Sequence, residues 1–340
     1  MNAKIASRAV VVAALFVSMG CGSKSDRIVV YCAQDEEFAA ELFGDFNGPR
    51  VQPKYDTEAN KSVSLLVELE AEKDRPRCDL HWNNEILGTI RLAKKGLYEP
   101  YISMNATDFP EWTKSKSGHW QAFASRARVL IVNTNLVPEA ERPKSILDLT
   151  DPKWKGRFAI AKPQFGTTAT QAACLFEVLG SEKAKEFYRS LKANGASLLA
   201  GNKPVARGVA DGTYAIGFTD SDDAIIEVLA GKPVVVIFPD AVPNTNYPRM
   251  GTLFIPNTLA IVKGAPNSDG AKKLYDYLLT NEPTLASGGG YQLPLNPKAT
   301  ATIHPMLKTP NDVTAMKVDF EKAADLWDET QEFLRNEFAR

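Results

Sequence analysis

Long hydrophobic runs are scarce in this chain. Beyond its first twenty or so residues, no stretch stays apolar for the ~20 positions that a membrane-crossing helix needs. Charge of one sign is missing too: 40 basic and 41 acidic residues leave a net charge of −1. That excludes a global field for drawing in nucleic acid or anionic lipid, so any charge selectivity must be local. Histidine occurs three times and cysteine four times, with no CxxC pair and no Cys/His cluster, so no zinc site is expected. GxSxG, HExxH and Walker motifs are all lacking, and His119 and His304 stand isolated. The expectation is a protein that is not an enzyme and holds no catalytic cofactor.

What is present begins at the N-terminus. Lys4 and Arg8 precede the apolar run Ala9 to Val17, followed by Ser18-Met19-Gly20-Cys21. A short basic head, an apolar core too short to span a bilayer and a small residue before the cut describe a secretory leader. Ending on Gly-Cys, it resembles a bacterial lipoprotein signal, which implies a leader over 1–20, diacylation of Cys21 and a tether over 21–26. Two acyl chains suffice to hold a protein at a membrane. The mature chain is then expected outside the cytoplasm, in the periplasm or at the cell surface, as an anchored monomer. In that oxidising setting Cys32 and Cys78 are open to pairing if their Cα atoms lie within about 7 Å. Cys174, inside an apolar helix, reads as a buried free thiol.

The remaining residues alternate between strand and helix patterns. Arg27 to Cys32, Val51 to Tyr55 and Cys78 to Trp82 read as strands. Helices are expected over Asp35 to Phe46, around Val63 to Ala71, and over Glu85 to Lys95, the last closed by Gly96. Gln121 to Ala124 and Val129 to Asn133 read as two strands crossing to a second α/β set that starts at Arg157. Thr252 to Ile255 and Thr258 to Val262 look like the return, and an amphipathic tail follows from Asn311. The fold class is α/β with parallel sheet and helices on both faces, in two lobes with a hinge and a cleft.

Seven stretches carry a family likeness: Val30 to Asp35, Tyr55 to Ala59, Asp79 to Glu85, Ser125 to Val129, Phe165 to Thr168, Gly217 to Ala224 and Pro256 to Thr258. Together they resemble the extracellular solute-binding proteins of ABC importers, in the branch that includes ferric-iron-binding proteins. The resemblance implies a two-lobed type II periplasmic-binding fold that closes on its ligand and delivers it to a membrane permease. It implies lobe 1 over 27–127 and 255–340 and lobe 2 over 128–254. Iron-binding relatives carry a His after the first strand, sometimes followed by a Tyr, and a Tyr-Tyr pair in the second lobe. Here Asp35-Glu36 and Asp222-Asp223 stand at those positions.

Ligands of open α/β sheets sit beyond the carboxyl ends of the strands. That places Asp35, Trp82, Asn84, Glu85 and Asp220 to Asp223 at the expected cleft. Asp35, Glu85, Asp222 and Asp223 are candidate ligands of a hard cation, with Fe3+ as transported ligand rather than cofactor. The bland alternative is that these acids cap helices and complement their dipoles. Trp82 is either core or a face for an ammonium group. Gly166-Thr167-Thr168, opening a helix, makes an anion site, to which Arg126 adds a charged fork unless it forms a lobe–lobe ion pair instead. Ferric iron with a synergistic anion is the first reading of the ligand. A small organic cation or zwitterion, such as an amino acid, polyamine, thiamine-like or aminophosphonate solute, is the second.

Overall fold

The computed structural model describes residues 26–56, 64–287 and 290–338. The leader, Cys21 and most of the tether lie outside the described residues. The first half begins with three parallel strands, β1 (Arg27–Cys32), β2 (Arg50–Tyr55) and β3 (Leu80–Asn83). Three helices alternate with them: α1 (Glu36–Gly44), α2 (Ser64–Ala71) and α3 (Ile86–Lys94). Every residue of β3 is buried, as befits a central strand. Gly96, at φ +74°, supplies the left-handed residue that ends α3. A two-residue strand, β4 (Tyr98–Glu99), follows.

The long strand β5 (Gln121–Asn133) holds the two halves together. Up to Ala127 it pairs antiparallel with β10 (Phe254–Val262); from Arg128 it pairs instead with β8 (Ile216–Asp220) and β9 (Val234–Ile237). The sheet order is β2-β1-β3-β10-β5-β8-β6-β7, with β6 (Phe158–Ala161) and β7 (Ser197–Leu199) parallel to each other. The second half adds α4 (Gly166–Leu179), α5 (Ser181–Ala193), α6 (Asn202–Ala210) and α7 (Ser221–Leu229). The chain returns through β10 to α8 (Ser268–Thr280), α9 (Thr284–Ser287), α10 (Phe320–Asp325) and α11 (Trp327–Phe338).

One expectation is corrected. The two pairs of crossing segments are in fact two continuous strands: Ala124 turns to φ +43° without leaving β5, beside a register shift between Pro256 and Asn257 of β10. The tail touches both halves. α10 packs on α3 and α4, and α11 packs on α4 and α5. Lys94 pairs with Glu321 and Asp325, while Lys185 pairs with Glu329, so the tail is tied to both halves.

Cys32, Cys78 and Cys174 are all buried, and none of the three is in a disulfide among the described residues. A Cys32–Cys78 bridge is ruled out by register. Val30 lies beside Leu80 and Cys32 beside Trp82, so the two cysteines stand four residues apart along parallel neighbours. That is ~13 Å, about twice the reach of a disulfide.

Candidate functional site

The ends of β1, β3 and β8 and the middle of β5 meet around a small polar cavity. Asp35 is the N-cap residue of α1, Asn84 follows β3, and Arg126 comes from β5. From the second half come Gly166, Thr167 and Thr168 at the start of α4, and Asp220, Asp222 and Asp223 at the start of α7. All nine of these candidate residues line the cavity, whose volume is about 30 Å³. Two candidates do not. Trp82 is fully buried in the core, edge-on to Phe43 and tilted against Phe123. Glu85 is also buried, and its carboxylate accepts from the Leu87 and Gly88 amides, from Asn83 and from the Thr170 hydroxyl at 2.7 Å. Its role is that of an N-cap that also ties α3 to α4.

The acids are brought together by helix geometry. Asp220 is the N-cap of α7 and Asp222 and Asp223 occupy its first turn, where the positive dipole end favours them. Oxygen atoms of Asp220, Asp222 and Asp223 lie within 4.8 Å of one another. Asp220 is held from behind: it accepts from Arg128 at 2.6 Å, from the Thr167 hydroxyl at 2.7 Å and from Asn202 at 2.9 Å. Asp222 lies 3.2 Å from the Nε of Arg126. The rest of that guanidinium donates to neutral acceptors, the side chains of Gln34 and Asn257 and the carbonyl of Asn84. Burial pulls the Arg126 pKa down, but Asp222, Asp220, Asp35 and Asp223 outweigh it and hold the group above its ordinary value.

Arg128 and Asn202 escaped the sequence reading. Arg128 is fully buried, donates to Gln171, Thr167, Asn202, Asp220 and Thr168, and packs over the Phe218 ring. The signal was available: it stands two positions from Arg126 on the same strand face, as a charge between Ala127 and an apolar run. A charge inside a buried strand must be paired.

Across the cleft, Lys203 of α6 meets Glu37 of α1 at 2.8 Å, and the amide of Ala127 donates to the Ser221 hydroxyl. The lining carries four carboxylates against the cations Arg126 and Lys162, and one negative charge still remains if Arg128 is counted behind Asp220. Beside the acids, the first amides of α4 have no acceptor within their own helix. Gly166, at φ +55°, opens that turn. The arrangement offers hard oxygen donors for a cation next to N–H donors for an anion.

Comparison with known proteins agrees with this geometry. A family model described as "Bacterial extracellular solute-binding protein" matches residues 90–320, about two thirds of the chain. An uncharacterized protein of Haemophilus influenzae is 30% identical over 332 residues, covering 93% of this chain and 91% of that one. The major ferric iron-binding protein of Neisseria meningitidis is 25% identical over 285 residues, 82% of this chain and 83% of its own. Among solved structures, iron-bound HitA from Pseudomonas aeruginosa superposes with a TM-score of 0.80 at 21% identity, covering 92% of this chain and 99% of its own. The periplasmic binding protein AfuA from Actinobacillus pleuropneumoniae, with fructose-6-phosphate bound, gives 0.78 at 25% identity, covering 92% and 98%. With its two-lobed α/β fold and a polar cavity where the halves meet, this chain belongs to the bacterial extracellular solute-binding proteins, the substrate-binding subunits of ABC importers.

Proposed function

We propose that this solute-binding protein captures ferric iron together with an anion from solution and delivers it to an inner-membrane permease. The observation that carries the reading is the cluster of Asp220, Asp222 and Asp223 oxygens within 4.8 Å of one another, facing Asp35 in a cavity of about 30 Å³. In our reading Asp35, Asp222 and Asp223 are the protein's ligands, and Asp220 is the buried post that holds Asp222 and Asp223 in place. Glu85 is left out, because its oxygens are occupied by four donors. The anion would sit on the amides of α4 and the hydroxyls of Thr167 and Thr168, with Arg126 turning to it once the metal takes over Asp222. The relatives named for ferric iron support the choice of metal. Unlike a tyrosinate site, a carboxylate site is expected to be nearly colourless.

Size and charge weigh against the other ligands. The cavity has room for an ion and a water, roughly a tenth of the volume that small organic ligands ordinarily occupy. Trp82 lies in the core, so its indole is not offered to an ammonium group. A second reading, a phosphorylated small molecule, is favoured by the amide and hydroxyl donors of α4 and by the fructose-6-phosphate complex of AfuA. It would require the halves to part widely and four acids to face the ligand. Calorimetric titration with ferric citrate, with fructose-6-phosphate and with amino acids or polyamines separates these readings. Binding of the sugar phosphate or an amine, with none of iron, would overturn the first.

The lobes we propose follow the partner change in β5, 27–127 with the strand β10 as one and 128–254 as the other. The tail bridges both. We also propose that the mature chain is a monomer anchored through diacylated Cys21. Cys21→Ala should move it from the membrane fraction to the soluble one on fractionation, and an unchanged distribution would contradict the anchor.

A further inference from the structure

β5 carries one residue more than the strand beside it. Phe123 stands opposite Asn257 and Ser125 opposite Pro256, which leaves Ala124 as the extra residue, at φ +43°. One extra residue reverses the alternation of every side chain beyond it. Phe123, ahead of the bulge, shares a face with Asn257 and with Trp82, whose ring it touches. Strict alternation from Phe123 would send Arg126 to the opposite face. With the bulge, Arg126 falls opposite Ile255, on the face of Phe123 and Asn257. From there it donates to Asn257 at 3.3 Å and lines the cavity.

A left-handed alanine inside a buried strand persists only where its surroundings hold it. Glu282, in the turn between α8 and α9, does the holding. It is fully buried and paired with no cation among the described residues. Its carboxylate accepts from the backbone amides of Ala124, Leu295 and Asn296, which offsets the cost of burying the charge. On the other side of the bulge, the Ala124 carbonyl accepts from the Asn257 amide at 3.3 Å. The same Asn257 side chain accepts from Arg126, so bulge and guanidinium share one neighbour. Arg128, also beyond the bulge, is held separately by five acceptors of the second half.

We propose that Glu282 is a positioning residue for the cavity: it pins the bulge at Ala124 and so turns Arg126 towards the ligand, although it does not line the cavity itself. The inference rests on the cavity being the ligand site, but not on which ligand fills it.

The test begins with arginine-selective heteronuclear NMR of the ligand-free mature chain, with the Arg126 Nε–H signal assigned by its loss in Arg126→Gln. Glu282→Gln removes the charge that holds the bulge. Ala124→Val leaves the carboxylate in place but disfavours the left-handed turn, and Ala124→Gly takes that turn without strain. With folding checked by circular dichroism, the first two variants should shift the Arg126 signal and the third should not. Titrated with ferric citrate, the first two should bind at least tenfold more weakly, and Ala124→Gly within about twofold of wild type. In an Arg126→Gln background, Glu282→Gln should cost less than about twofold further, because its effect runs through the guanidinium. An unmoved signal in the folded variants, or the full tenfold loss with Arg126 already replaced, would overturn the positioning role. A wild type that takes up no iron would sink the ferric reading alone, since the Arg126 signal is read without ligand.

Discussion

His81 is buried in β3 with its ring stacked on Tyr98 and its Nδ1 2.6 Å from the Tyr98 hydroxyl; burial pulls its pKa down to about 3. The folded protein therefore keeps His81 neutral, while the unfolded chain protonates it below its ordinary value near 6.5. Its contribution to stability is complete above pH 6.5 and is lost as the pH falls towards 3, at about 1.4 kcal/mol per unit. Denaturant unfolding at pH 7 and pH 5 should show the wild type losing ~2 kcal/mol more than His81→Gln. Equal losses would contradict a neutral buried imidazole. Glu85 and Glu282, both raised by burial, act in the opposite direction and are common to the two proteins. At the cation pocket, Asp222→Asn and Asp223→Asn should each weaken ferric binding at least tenfold, or ~1.4 kcal/mol, by calorimetry. At this scale the sequence was legible where a strand end and helix start coincide, as for Asp35 and Asp220 to Asp223. It was not legible for Trp82 and Glu85, whose neighbours Phe123 and Thr170 lie far along the chain.

Among the elements, β8 shows how the acids are held in place. Gly217 lies in its middle, and Val205 and Val209 of α6 and Ile131 of β5 crowd the place where its Cβ would stand. A Cβ there would stand 2.6 Å from the Val205 Cγ1 atom and 2.9 Å from Val209, so α6 would have to move away. Gly217→Ala should destabilise the fold by ~1–3 kcal/mol. Because α6 carries Asn202, which donates to Asp220, ferric affinity should fall with it. A variant with full stability and affinity would contradict this packing. Strand and helix periods made most elements readable, including α3 with its glycine stop. The unity of β5 and β10 was hidden, because a positive φ at Ala124 and a bulge beside Pro256 interrupt the alternation without ending the strands. The tail's position was hidden for a different reason: an amphipathic helix has a face to bury, but its own sequence does not name the partner.

For the whole molecule, the contacts Glu37–Lys203, Arg126–Asp222 and Glu85–Thr170 join the halves around the cavity. A ligand held by both sides favours the joined state by its differential affinity. The family's fold and its place outside the cytoplasm were readable from the order of short motifs along the chain. The chemistry of the guest was less so, because acids at a helix start suit capping as well as ligand contact, and only the structure places Asp220 behind Asp222 and Asp223. The most direct measurement is unfolding of metal-free protein with and without ferric citrate, run beside Asp222→Asn/Asp223→Asn. At about 100 times the dissociation constant, iron should add ~2.7 kcal/mol to the wild type and little to the double variant. No stabilisation of the wild type by iron, with clear stabilisation by fructose-6-phosphate or an amine, would contradict the ferric account.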